Sequence, residues 1–373
     1  MSAFPQKKSN KRLLVLANND VGLYRFRKDL LVEFSKLGFE VYISLPNGQF
    51  IPELEELGFH YIETGISRRG MNPVQDLGLL RKYRRILRDV APDLVITYTI
   101  KPNIYGGLAC RMAHIPYAVN ITGLGSAIEN GGLLKKLVLS LYRPALKQAR
   151  VIFFENSGNY TTLEATGILP RGRSVVLNGA GVNLDDFPYA TYPDGEIIKF
   201  LFVGRVMHEK GIDEFFAAAR KLKELFGDRV EFHVVGSFEE EYRAAMDERV
   251  LEGTVIYHGQ QPDVRPFYRA AHCIVLPSYH EGMSNVLLEA AATGRPIITS
   301  DIPGCREAVS DISGYLCPAR DAGALADAMI RFVSLSLDDR RRMAAASHDH
   351  IAASFDKKLV VKKTVDNLGI TNG

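Results

Sequence analysis

The 373-residue chain has no tryptophan, only four cysteines and a formal net charge of just +3. So small a charge excess argues against wholesale nucleic-acid binding. Cys110, Cys273, Cys305 and Cys317 lie far apart with no CxxC pair. Neither a zinc site nor a disulfide framework is therefore expected, and four small buried hydrophobes in a reducing compartment are. No apolar run reaches the length that spans a bilayer. The basic stretch 1–12 is followed by only the short apolar segment 13–17, so a secretory leader is not expected either. Together these absences suggest a cytoplasmic protein without a transmembrane helix. Tandem repeats and low-complexity tracts are absent as well.

What is present is a long alternation of buried strands and amphipathic helices. Leu13-Leu14-Val15-Leu16-Ala17, Val41-Tyr42-Ile43-Ser44-Leu45, Leu94-Val95-Ile96-Thr97-Tyr98, Tyr117-Ala118-Val119-Asn120-Ile121 and Val151-Ile152-Phe153-Phe154 read as strands. Helical patterns separate them, at 24–37, 74–90 and 104–112 among others. The polar, glycine-bearing stretch 178–194 interrupts the rhythm and is a candidate linker. The alternation restarts at 197–203 and runs on through 230–235, 254–257, 273–277 and 296–300. The expected fold is therefore α/β, with two Rossmann-like doubly wound parallel sheets. The boundaries expected are 1–185, 186–350 and a C-terminal helical segment 351–373 that crosses back, with a ligand held in the cleft between the domains. Ligands of such sheets sit outside the carboxyl ends of the strands, which in the first half means the loops 19–22, 100–103 and 122–127.

Chemistry concentrates in the second half. Ser278-Tyr279-His280-Glu281-Gly282-Met283-Ser284-Asn285-Val286 joins a buried strand to a helix that Ser284 is placed to cap and Gly294 to end. A helix start offers free amides and the positive end of a dipole, hence an anion site. Glu281 and Glu289 flank it with seven residues between them. Carboxylates beside a phosphate cradle are better suited to accepting hydrogen bonds from sugar or ribose hydroxyls. Two solvated glutamates on an ordinary turn remain the competing account. A second turn, Gly204-Arg205-Val206-Met207-His208-Glu209-Lys210-Gly211, supplies a fork-shaped and a point-like cation for two phosphates. The loop 257–264 is placed to meet a planar base. In the first half, the single Gly22 would let a ligand pass close to the backbone, although the turn lacks the GxGxxG fingerprint.

These motifs, with Asn178-Gly179-Ala180-Gly181-Val182-Asn183, Thr97-Tyr98-Thr99-Ile100-Lys101-Pro102-Asn103 and Asn120-Ile121-Thr122-Gly123-Leu124-Gly125-Ser126, resemble the retaining glycosyltransferases of family 4 with the GT-B fold. The likeness is to the branch that builds bacterial surface polysaccharides and lipid-linked oligosaccharides. The resemblance implies a UDP-sugar donor, no metal, and transfer of a hexose or N-acetylhexosamine to a polyprenyl-diphosphate-linked saccharide. It implies that Arg205 and Lys210 hold the diphosphate with amides near Ser284 and Asn285, that Glu281 meets the transferred sugar and that Glu289 meets the ribose. Gly22, Gly204, Gln260, Gly282, Met283 and Val286 complete the implied donor site, and Tyr24, Lys101, Asn103, Thr122 and Gly123 the acceptor side. Many relatives carry a histidine after the fourth strand, where this chain has Thr99-Ile100-Lys101, so no general base is named. A nucleotide-sugar 2-epimerase and a catalytically silent nucleotide-sugar-binding subunit are the alternatives. A glycogen-phosphorylase-like enzyme and a glycosidase fit less well, since no pyridoxal lysine is identifiable and a glycosidase needs no diphosphate cradle.

The leucine-rich segment 131–150 carries Lys135, Lys136, Arg143 and Lys147. It reads either as a core-facing helix with a solvated basic face or as a helix lying on an anionic bilayer. The run Arg81-Lys82-Tyr83-Arg84-Arg85-Ile86-Leu87-Arg88, with Arg68 and Arg69, reads as a solvated stripe or as part of the same face. Peripheral contact with the inner face of the cell membrane is left open on that basis.

Overall fold

The computed structural model describes residues 11–66, 73–124, 132–239 and 241–370. The expectations placed on Arg68, Arg69, Gly125, Ser126, Ala127, Gly131 and the basic N-terminal stretch fall outside those residues. The chain divides into two compact units, 1–177 with 361–373, and 178–360.

The first unit is built on seven parallel strands: β1 (Lys11–Leu16), β2 (Phe39–Leu45), β3 (His60–Glu63), β4 (Leu94–Tyr98), β5 (Tyr117–Ile121), β6 (Val151–Phe154) and β7 (Ser174–Val176). Their order is β3-β2-β1-β4-β5-β6-β7. Leu13, Leu14, Val15 and Leu16 are fully buried because helices cover the sheet, which is why β1 is uniformly apolar rather than alternating. Each such side chain contributes on the order of 1.5–3 kcal/mol of burial free energy. The helix Lys28–Lys36 ends where Gly38 takes a left-handed φ of +84° and donates its amide to Ser35, releasing the chain into β2.

The second unit repeats the plan with β8 (Ile198–Val203), β9 (Val230–Val235), β10 (Ile256–Tyr257), β11 (Cys273–Leu276), β12 (Ile297–Ser300) and β13 (Gly314–Cys317), ordered β10-β9-β8-β11-β12-β13. In each sheet the order reverses beside its first strand, between β1 and β4 and between β8 and β11. Such a switch point opens a crevice at the carboxyl ends of those two strands.

Several local features differ from expectation. The helices expected at 24–37 and 104–112 begin with π-helical turns, Leu23–Arg27 and Pro102–Gly106. Pro102 has no amide to give an α-helical bond, and π-turns inside helices are rare and often lie at functional sites. The stretch 178–194 is structured: Val182 forms a bridge with Asp356, and Ala190 donates its amide to Thr293. That bridge also divides the C-terminal amphipathic segment into helices Leu337–Ser354 and Lys357–Asn367, since Phe355 and Lys357 give their backbone groups to Val182. Within the first unit, Lys363 then donates to the Val176 carbonyl at 2.8 Å. All four cysteines are buried and unpaired.

Candidate functional site

The switch point of the second unit brings the two charged turns together. The chain leaving β8 carries Arg205 and Lys210, and the chain leaving β11 carries Glu281. Gly211 locks the turns in contact. It has φ +73°, and a Cβ there would lie 2.1 Å from the Pro277 carbonyl oxygen. Only glycine combines that conformation with that approach. The amide of Tyr279 donates to the Glu209 carbonyl at 2.9 Å, and its hydroxyl donates to Glu214 at 2.6 Å. Burial, followed by the Glu214 hydrogen bond, pushes the Tyr279 phenol well up, so it remains a donor. A third turn closes the site from the β12 side: Gly304, at φ +85°, would place a Cβ 2.6 Å from the Gly282 oxygen.

Within this frame Lys210 donates to Glu281 Oε1 at 2.5 Å, and Ser278 donates to the same oxygen at 2.9 Å. The lysine and glutamate side chains are 19% and 12% exposed. Arg205 is more open, 3.3 Å from Glu239. Lys210 and Glu281 thus meet at the crevice, while Arg205, on the same turn, is paired with Glu239. Ser278, absent from the expected site, is the hydroxyl that fixes Glu281. Its signal was a small polar residue three positions before the glutamate on a tight turn.

The helix Asn285–Ala292 starts at the same edge. Ser284 stands at its cap position but makes no side-chain cap bond, and its amide donates to the Gly304 carbonyl at 2.9 Å. The capping role expected of its hydroxyl is therefore corrected: the Leu287 amide that a cap hydroxyl would accept from donates instead to the Ser284 carbonyl at 3.1 Å. Leu287 and Leu288 donate to the Ser284 carbonyl, so Asn285 and Val286 carry the amides that a helix start leaves over. The far end follows expectation, with Gly294 at φ +79° donating to Ala291. Glu289 lies one turn into the helix and accepts the Tyr268 hydroxyl at 3.0 Å. Met283 is buried against the Gly179 turn, so its side chain is core, and Val286 is half-buried against the same core, whereas Gly282 is half-buried on the turn itself. Gln260 is exposed on the loop after β10. Gly204 has extended backbone, and the position that admits only glycine is Gly236, whose Cβ would sit 1.7 Å from the Gly204 oxygen.

The expected acceptor-side residues surround the first unit's switch point, with most of their polar groups engaged. Gly22 donates its amide to the Asn19 side chain at 2.6 Å, and that side chain fills the space beside it. The glycine thus accommodates a helix cap rather than an open approach. Tyr24 stacks on Phe50 with ring centroids 4.7 Å apart. Asn103 is 1% exposed, accepting from Thr97 at 2.7 Å and donating to the Asn120 carbonyl at 2.9 Å, so its side chain ties β4 to β5. Lys101 donates to Asp76 at 2.9 Å beside a cavity of about 400 Å³ lined also by Ile66, Leu79 and Lys82. Thr122 and Gly123 are half-buried just past β5. Deeper in, Arg27 pairs with Glu155 and lies over the Tyr98 ring.

Among the described residues no group of three or more histidine, cysteine, aspartate or glutamate side chains is placed to hold a metal, and no helix is long and apolar enough to cross a membrane. The helix Pro73–Val90 buries Leu79, Tyr83, Ile86 and Leu87 and exposes Arg81, Arg84, Arg85 and Arg88, a solvated stripe.

Comparison with known proteins agrees with this geometry. Residues 12–156 match the family model described as Glycosyl transferase 4-like, and residues 198–334 the one described as Glycosyl transferases group 1. A Campylobacter jejuni N,N'-diacetylbacillosaminyl-diphospho-undecaprenol alpha-1,3-N-acetylgalactosaminyltransferase is 28% identical over 94% of this chain and 96% of its own length. An Escherichia coli UDP-Gal:alpha-D-GlcNAc-diphosphoundecaprenol alpha-1,3-galactosyltransferase is 27% identical over 81% of this chain and 85% of its own. Among solved structures, a glycosyltransferase from Rickettsia africae shares the fold with a TM-score of 0.79 at 19% identity, over 97% of this chain and 99% of that one. An Anabaena protein in complex with UDP and glucose does so at 0.78 and 17%, over 96% and 99%.

Proposed function

The chain belongs to the family 4-like, group 1 glycosyltransferases of GT-B fold, and from that premise we propose that it moves a hexose or N-acetylhexosamine from a UDP-sugar to a saccharide carried on a polyprenyl diphosphate. The observation that carries the donor half is the meeting of Lys210 and Glu281 at the second unit's switch point. Lys210 and Arg205 take the diphosphate, together with the amides of Asn285 and Val286. Glu281 accepts from a hydroxyl of the transferred sugar, and Glu289 from the ribose. As the sugar–phosphate bond breaks, negative charge grows on the departing diphosphate, and the two cations with the helix start stabilise it in place of a metal ion.

The acceptor half rests on the two relatives whose names contain a diphospho-undecaprenol substrate and an alpha-1,3 linkage. An α-linked product from an α-linked UDP-sugar is a reaction with retention. The cavity beside Lys101 and Lys82, with Ile66 and Leu79 in its wall, suits an anionic group joined to an apolar chain. On the helix Gly132–Leu146, Leu134 and Leu137 are 46% and 48% exposed beside Lys135 and Lys136, a surface suited to peripheral contact with anionic lipid.

The reading is tested by measuring UDP release from a panel of UDP-sugars with polyprenyl-diphosphate-linked saccharides, in the presence and absence of EDTA. Release that requires a lipid-linked acceptor and survives EDTA is expected. Turnover of a UDP-sugar with no acceptor points instead to an epimerase. Sedimentation with anionic but not neutral liposomes is the expected result for the lipid contact.

A further inference from the structure

Lys210 and Glu281 are held to each other by the backbone as well as by charge. The loop of Lys210 cannot withdraw, because Gly211 lies against the Pro277 carbonyl and the Tyr279 amide holds Glu209. Nor can the loop of Glu281 move outward freely, since the Gly304 turn is packed on the carbonyls of Glu281 and Gly282. Only the two side chains are left to rearrange. Both are largely out of water, so separating them leaves each charge in need of a new partner. Among the described residues the remaining side-chain donor to Glu281 is the Ser278 hydroxyl at 2.9 Å.

We propose that Lys210 and Glu281 form an exchange pair through which the site distinguishes a nucleotide sugar from the nucleotide alone, an inference that rests on the donor-site reading above. A diphosphate draws the ammonium away from Glu281 and strands the carboxylate on a single hydroxyl. When the diphosphate carries a sugar, the sugar hydroxyls donate to the stranded carboxylate and restore its hydrogen bonding. Free UDP lacks those hydroxyls and bears the full cost of the separation. Once the sugar has been transferred, the remaining UDP is therefore the weaker ligand, and re-formation of the ion pair accompanies its departure. Glu281 acts here as a specificity determinant in addition to its sugar contact.

The test is calorimetric titration of the full chain with UDP, UDP-galactose, UDP-N-acetylgalactosamine and UDP-glucose, for the wild type, Glu281→Gln, Lys210→Ala, the double variant and Ser278→Ala. Glu281→Gln is expected to bind UDP roughly three- to tenfold more tightly, the range for a close, partly buried charge pair, and to lose preference for the best nucleotide sugar over UDP. That gain should vanish when Lys210 is already alanine, since no ammonium remains to be freed. Ser278→Ala should act in the opposite direction and weaken UDP more than the nucleotide sugar. Unchanged or weaker UDP binding by Glu281→Gln overturns the exchange. So does an equal gain in the Lys210→Ala background, which is plain repulsion between Glu281 and the diphosphate. A wild type that prefers UDP to all three nucleotide sugars overturns it as well. UDP binding that survives Lys210→Ala undiminished overturns the donor-site reading itself.

Discussion

The two sheets share a strand order and a switch point, yet they treat charged side chains at that point in opposite ways. In the first unit the deeper pair is sealed, Arg27 and Glu155 being 9% and 8% exposed, whereas Lys101 and Asp76, at 13% and 6%, border the cavity. In the second unit Lys210 and Glu281 keep 19% and 12%, and Arg205 and Glu239 are open at 53% and 33%. Both units therefore hold a cation beside a carboxylate at the carboxyl end of a parallel sheet. The difference lies in what can take the partner's place. A pair enclosed over an aromatic ring, as Arg27 is over Tyr98, is structural because no ligand reaches it. A pair at the mouth of a crevice, beside leftover helix amides, can exchange its partner for a phosphate.

The largest effect expected on this contrast comes from Arg27→Met. Removing one member of an enclosed pair leaves Glu155 charged and unpaired, at a cost of about 3–5 kcal/mol. Burial already lowers the Arg27 pKa, a sign of how little solvent assists the pair. Chemical denaturation should show the loss, and converting Glu155 to Met as well should recover most of it. A loss under about 1 kcal/mol would place this pair with the exposed ones.

Lys210→Ala should shift the balance from stability to turnover: it leaves Glu281 on the Ser278 hydroxyl at a cost of about 1 kcal/mol, well below that of Arg27→Met, while turnover falls about 100-fold or more, as for loss of one preorganised group facing developing charge. The readout is UDP release at saturating donor, with circular dichroism as the check on folding. Turnover within a few-fold of wild type would remove Lys210 from the phosphate site.

A third effect separates the units by pH. His272, beneath β8, is 2% exposed and accepts the Lys199 amide at 3.1 Å. Burial, followed by the charge of Arg340, lowers its pKa to about 4. Below the ordinary histidine value of about 6.5, the unfolded chain takes up a proton that the folded one refuses. Stability is therefore complete above about pH 6.5 and declines as pH falls toward 4, by about 2 kcal/mol at pH 5. His272→Gln should flatten that part of the pH profile of unfolding. An unaltered profile would mean that other groups govern the acid limb.

The legibility of the chain in its sequence follows the same division. β4, β5, β6 and β9 were readable to the residue because each is a short run dominated by apolar residues and bounded by polar turns, although β9 alternates with Glu231 and His233. The Glu281 and Lys210 turns were readable because charge at a strand end is conspicuous. What could not be read is pairing. Nothing in Arg205 or Lys210 announces Glu239 or Glu281 as a partner, since each pair spans a long stretch of chain. Asn103 and Gly22 looked like ligand contacts by position, while their roles in tying β4 to β5 and in receiving the Asn19 cap depend on packing. The π-helical turns, and the break that Val182 imposes at Asp356, are likewise tertiary decisions that local propensity does not carry.

The smallest effect concerns Thr99, the residue directly after β4. It has φ +72°, a left-handed conformation that a β-branched residue adopts only under constraint, and its hydroxyl is buried without a partner. Its carbonyl accepts the Asn103 amide at 2.9 Å, an α-type bond over Ile100 and Lys101 that leads into the π-helical turn Pro102–Gly106. Relieving the strain is worth about 1–2 kcal/mol, less the roughly 0.5–1 kcal/mol of added chain entropy that glycine brings to the unfolded state. Thr99→Gly should therefore raise stability by up to about 1.5 kcal/mol, a shift of at most roughly 3–6 °C in melting temperature for a unit of this size. If the strain holds Lys101 in place for the acceptor, the same variant should raise the acceptor KM and leave UDP affinity untouched. A lower melting temperature would show that the Thr99 methyl contacts outweigh the strain, and a change in UDP affinity without one in acceptor KM would detach this turn from the acceptor side.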